Sequence, residues 1–97
     1  MLKKIAKRIN KELEQAYDYC HQSMIVKHEY SSVAELFVQL SKEEVMHAKK
    51  LLKEGQRLVD DKNEQDEKCV AIWEWETRLA TERISEIEYK LSMYSAL

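Results

Sequence analysis

Glu44 and His47 stand three residues apart in the run Glu43-Glu44-Val45-Met46-His47. On a helix that spacing puts both side chains on one face. Val33, Phe37, Leu40, Leu51 and Leu58 recur with the same helical period. The carboxylate and the imidazole therefore fall in the middle of an apolar stripe. A carboxylate stranded among apolar side chains is strongly disfavoured. It must be paired, protonated or given a metal.

A second carboxylate sits on the neighbouring stripe. Glu12 follows Ile5 and Ile9 and precedes Ala16 and Tyr19 at steps of three and four, whereas Glu14 points away. If a turn centres near Tyr30, counting back along an antiparallel hairpin puts His47 level with about Leu13. Glu12, Glu44 and His47 then converge from two helices. Two close carboxylates repel, and one stays protonated unless a cation lies between them. Hard oxygens plus one imidazole suit iron or manganese and would also accept zinc. The same groups could instead form a protonated, hydrogen-bonded core network, but three converging groups favour the metal. Ser41-Lys42-Glu43-Glu44 is also a capping-box pattern. Leu36, Phe37 and Leu40 continue the stripe across it, which argues against a helix start there. Glu76, between Trp73 and Ala80, lies near the height of His47. Pairing with Arg83 comes first for it, and service as a further metal ligand second.

The elements that must position these groups are three amphipathic helices. The first is expected from about Leu2 to Lys27, with Leu2, Ile5, Ile9, Leu13, Ala16, Tyr19, Cys20, Ser23 and Val26 inward. The break falls at His28 to Ser32. Ser32 with Glu35 makes a capping box that predicts a second helix from Val33. That helix reaches about residue 54, where Gly55 ends it in a left-handed cap, or it runs on through Leu58 and Val59. The polar stretch Asp60 to Asp66 is the second turn. The third helix covers about 67 to 94, with Cys69, Val70, Trp73, Ala80, Ile84, Ile87, Leu91 and Tyr94 inward. Short connections make neighbouring helices antiparallel. Tyr19 reads as a core residue that can hydrogen-bond behind the site, His21 and His28 as solvated, and Trp73 and Trp75 as packing or interface residues.

Composition agrees with an all-α chain. Its 97 residues make one domain, with one glycine, no proline and 35% charged residues. A net charge of −2 gives no global pull toward nucleic acid or anionic lipid. Lys3, Lys4, Lys7, Arg8 and Lys11 make the start basic. They read as the solvated face of the first helix rather than as a membrane-lying segment. No apolar run is long enough for a transmembrane span. No secretory signal is visible, and Cys20 and Cys69 form no metal-type pair, so reduced, partly buried thiols in the cytoplasm are expected.

The runs Glu12-Leu13-Glu14-Gln15-Ala16-Tyr17-Asp18-Tyr19 and Leu36-Phe37-Val38-Gln39-Leu40-Ser41-Lys42-Glu43-Glu44-Val45-Met46-His47-Ala48 resemble the ferritin-like superfamily of bacterioferritins, rubrerythrins and encapsulated ferritins. The likeness covers about residues 5 to 55. It implies a four-helix bundle, a di-iron centre and oxidation of Fe(II) by oxygen or peroxide. Glu44 would bridge the metals, Glu12 would be a terminal carboxylate and His47 the nitrogen ligand. A full di-iron bundle takes a Glu from each of two helices and Glu-x-x-His from each of the other two. This chain supplies one set. Two copies, meeting at a two-fold axis, would complete the centre. That layout resembles the encapsulated, half-ferritin branch, whose metal centre forms between subunits and whose partner is an encapsulating protein shell. The chain departs from that branch in its long, Trp-containing third helix and in its end, Ser92 to Leu97, which lacks the usual shell-targeting tail.

The expectation is thus a ferroxidase that forms a homodimer or larger symmetric oligomer. Two alternatives stand beside it. A rubrerythrin-like peroxide reductase would need an electron source that two distant cysteines do not provide. A metal-free helical interaction module would use the stripes for oligomerisation alone.

Overall fold

The computed structural model describes residues 1–62, 66–94 and 96. It is all-helical: α1 spans Leu2–Val26, α2 Ser31–Asp60 and α3 Glu67–Tyr94. No strand occurs among the described residues. The helices lie along one another in a rod 51 Å long and 17 × 16 Å across.

A short turn after Val26 forces α2 back along α1. The Tyr30 N–H donates to the Val26 carbonyl and the Ala34 N–H to the Tyr30 carbonyl, so one helix passes almost directly into the next. The buried Ser41 hydroxyl donates to the Ala16 carbonyl at 2.6 Å and pins the register of the hairpin. α3 returns parallel to α1, against which it packs more than against α2. Asn10 meets Glu76 and Arg83, Lys90 meets Tyr17, and Lys27 meets Tyr94.

The start of α2 differs from the sequence expectation, the later of its two expected ends, past Leu58 and Val59, is the one found, and α3 spans the expected residues. α2 starts at Ser31, before the expected Val33, and its N-cap residue Tyr30 makes no side-chain cap bond. Ser32 is already helical, so the Ser32–Glu35 capping box is not used. The tight turn places the Tyr30 carbonyl to receive the Ala34 N–H, and the helix starts early. Gly55 does not end α2. It is buried inside the helix, and the left-handed residue is Lys62, at φ 56°. At the start of α3 the Asp66 carboxylate accepts the N–H groups of Lys68 (2.9 Å) and Cys69 (3.1 Å), an N-cap that satisfies two otherwise orphaned donors. Residues 63–65 of the expected second turn, and Ser95 and Leu97 at the end, lie outside the described residues.

The core combines Leu2, Ile9, Leu13, Ala16 and Cys20 of α1 with Ala34, Val45 and Ala48 of α2 and Trp73, Ala80, Ile84 and Ile87 of α3. The buried face of α2 is a row of mostly small residues: Ala34, Ser41, Val45, Ala48 and Gly55. Small side chains let helices approach closely. The larger stripe is displaced to a flank, where Phe37, Leu40, Leu51 and Leu58 are half-buried and Val33 is 41% exposed. The expected central stripe is therefore a lateral one. Gly55 explains how the largest core side chain fits. Trp73 lies directly over it, and its indole N–H donates to Gln56 Oε1 at 3.2 Å. Trp75 is exposed. Cys20 is buried, but Cys69 is exposed rather than partly buried, because it stands in the first turn of α3 at the rim of the bundle. The early lysines and Arg8 form a solvated face. Among the described residues, no helix is long and apolar enough to cross a membrane.

Candidate metal centre

α1 carries Glu12 into its buried face between Ile9 and Leu13, where the residue is only 4% exposed. One carboxylate oxygen, Oε1, accepts a hydrogen bond from Arg8 Nε at 3.0 Å. The other, Oε2, is buried without a partner. Such an orphaned acceptor is uncommon and calls for a proton or a cation.

α2 supplies both. Glu44 and His47 sit one turn apart on its flank, with the Glu44 side chain 17% exposed and that of His47 52% exposed. His47 Nδ1 lies 3.6 Å from Glu12 Oε2 and 3.8 Å from Glu44 Oε1. One donor atom from each of the three residues lies within 4.8 Å of the others. The two His47 separations are too long for hydrogen bonds. They suit two donors on one ion, since bonds of roughly 2.0–2.2 Å allow donors up to about 4.4 Å apart. The predicted trio is thus brought together, at the height that hairpin counting gave.

The two carboxyls titrate in opposite directions. Glu44 is pushed up to about 7, by sharing its proton with Glu12, by burial and by the Glu12 charge. Glu12 is lowered, by the same shared proton and by Arg8. The two carboxyls interact directly, so a proton on Glu44 is shared with Glu12. Metal-free, the pair holds one proton near neutral pH. A cation between the two can replace that proton.

Glu76 takes no part in the trio. Its Oε2 accepts from Asn10 Nδ2 at 3.3 Å, and the Asn10 side-chain oxygen accepts from Arg83 at 3.4 Å. The expected pairing with Arg83 is thus relayed through Asn10. Tyr19 is half-buried and stacks on Phe37, with ring centroids 6.1 Å apart. His21 and His28 are exposed. In the sequence Arg8 reads only as surface charge. Its spacing of four from Glu12 was the available signal, since residues i and i+4 meet on a helix.

The trio runs from buried Glu12 to half-exposed His47, and Leu36, 56% exposed, and Val33 lie two to three turns before Glu44 on α2. One chain thus presents two carboxylates and one imidazole on an apolar flank. Comparison with known proteins adds no relative: no family model, no curated protein and no solved structure matches this chain.

Proposed function

We propose that the chain is a ferroxidase-type iron-binding protein whose site is completed by a second copy. The observation that carries this reading is the unpartnered, buried Glu12 Oε2, facing Glu44 and His47 across a gap of ligand size. Fe(II) is the substrate. Glu12 and Glu44 supply oxygens and His47 supplies a nitrogen, a donor set that also admits manganese or zinc. In a symmetric pair each residue appears twice, giving four carboxylates and two imidazoles for a di-iron centre. Glu44 would take the bridging position and Glu12 the terminal one.

Carboxylates stabilise Fe(III) over Fe(II) and so favour electron loss. Two Fe(II) ions give one electron each to O2, which with two protons becomes hydrogen peroxide. The half-buried flank of Phe37, Leu40 and Leu51 shields the centre from water once the copies meet.

The test measures three quantities on the purified protein: mass in solution, Fe(II) uptake without oxygen, and the rate at which Fe(III) appears on adding air. We expect two irons per dimer and rapid oxidation, with both lost in Glu44→Ala. A chain that takes up no Fe(II), or a Glu44→Ala variant with unchanged oxidation, overturns the proposal. A protein that self-associates without metal would instead be a helical interaction module.

A further inference from the structure

Resting on that reading, we infer that Arg8 is a positioning residue that limits Glu12 to offering a metal one oxygen. The two oxygens of Glu12 are in different situations. Oε1 is held by Arg8 Nε at 3.0 Å, while Oε2 is buried, has no donor and faces His47 at 3.6 Å. A carboxylate that has engaged one oxygen with a guanidinium cannot readily turn both toward the same ion. Arg8 suits this task, because the planar guanidinium fork fixes direction as well as charge. Its side chain is 60% exposed, so it lies outside the core.

The consequence concerns release. A carboxylate that chelates through both oxygens holds the more highly charged Fe(III) product firmly. The same carboxylate tied at one oxygen lets the product go. Arg8 also places a positive charge beside the site, which opposes the binding of a further cation. Both effects act in one direction, and loss of Arg8 should tighten metal binding. A merely structural role predicts the opposite, since a disordered Glu12 would bind more weakly.

The experiment uses Co(II) as the probe, because its visible absorption weakens as its coordination number rises. Arg8→Ala and Arg8→Lys are compared with the parent, with helix content followed by circular dichroism. In Arg8→Ala we expect weaker absorption per bound Co(II) and affinity higher by about five-fold, the scale set by a partly exposed ion pair. Arg8→Lys, which keeps the charge and one donor, should restore most of the parent spectrum. With Fe(II), the first turnover of Arg8→Ala should match the parent while later turnovers slow. A parent that binds Co(II) and an Arg8→Ala variant with the same spectrum and affinity, or weaker affinity, overturns this inference alone. A parent that binds neither Co(II) nor Fe(II) overturns the ferroxidase reading and this inference with it.

Discussion

His47 Nδ1 lies 3.6 Å from Glu12 Oε2, an oxygen that is buried and has no hydrogen-bond donor. The two residues come from different helices, so the relationship depends on the register of the α1–α2 hairpin. Ser41 sets that register by donating to the Ala16 carbonyl, about one turn away on each helix. Ser41→Ala leaves a buried carbonyl without this donor. The expected loss is about 1 kcal/mol of stability, read by chemical denaturation of the metal-free protein. Metal affinity should fall with it if the hydroxyl fixes the spacing of the trio.

A second prediction follows from the Glu44 proton. In the folded chain its carboxyl is raised from 4.5 to about 7. The folded state therefore keeps a proton that the unfolded chain releases. That contribution to stability is fully present below pH 4.5 and is lost as pH rises through about 7. Glu12 is shifted the other way, so its contribution is present above its ordinary value and fails only in more acidic solution. Thermal unfolding of the metal-free protein should thus move to lower temperature between pH 4.5 and about 7. Glu44→Gln, neutral throughout, should flatten that slope. A parent and a variant with parallel profiles would show that Glu44 does not carry the proton.

Metal uptake should have the opposite pH dependence. A ligand must be deprotonated to bind, so a metal competes with the Glu44 proton. Affinity for Co(II) should rise with pH until about 7 and then level off for this group. Calorimetry in buffers of different ionisation enthalpy should detect proton release below that pH.

The helix number, the hairpin and the shared height of Glu12, Glu44 and His47 were legible because each depends only on period and chain direction. The face of α2 that turns inward was not. Periodicity marks Phe37, Leu40 and Leu51 as one apolar stripe, yet the chain buries Ala34, Ser41, Ala48 and Gly55 beside Val45. Small residues carry little hydrophobic signal, and their value appears only when a second helix comes close. Gly55 leaves two readings open for the same reason. A glycine late in a helix suits a stop signal or a close approach, and Trp73 lying over it decides for the second. Arg8 and Asn10 were passed over because a surface cation and a lone amide gain meaning only from their partners, Glu12 and Glu76.

The displaced stripe yields a fourth test. Leu36 is 56% exposed beside the half-buried Phe37 and Leu40. If a second copy covers this flank, Leu36→Arg places a charge from each copy in the covered apolar surface. The variant should keep its helix content but sediment as a monomer, and its Fe(II) oxidation should collapse although all three ligands are intact. A dimeric, active variant would locate the partner surface elsewhere.

Gly55→Ala sets two effects of opposite sign against each other. Inside an exposed helix the change would stabilise by about 1 kcal/mol, because alanine is the better helix former. Here the added Cβ would lie 2.9 Å from Trp73 Cζ3 and closer still to two other atoms of the same ring. That ring is 1% exposed and hydrogen-bonded to Gln56, so it cannot simply swing away. Overpacking of a well-filled core costs about 1–3 kcal/mol and can exceed that. The net expectation is destabilisation, seen as a lower denaturation midpoint. Because Trp73 buries α3 against the far end of α2 from Glu44, the loss should leave metal stoichiometry unchanged. Adding Trp73→Leu to Gly55→Ala frees the space the Cβ needs. In that background the alanine should no longer destabilise, and a penalty that persisted would place its cause in the helix backbone rather than in the indole.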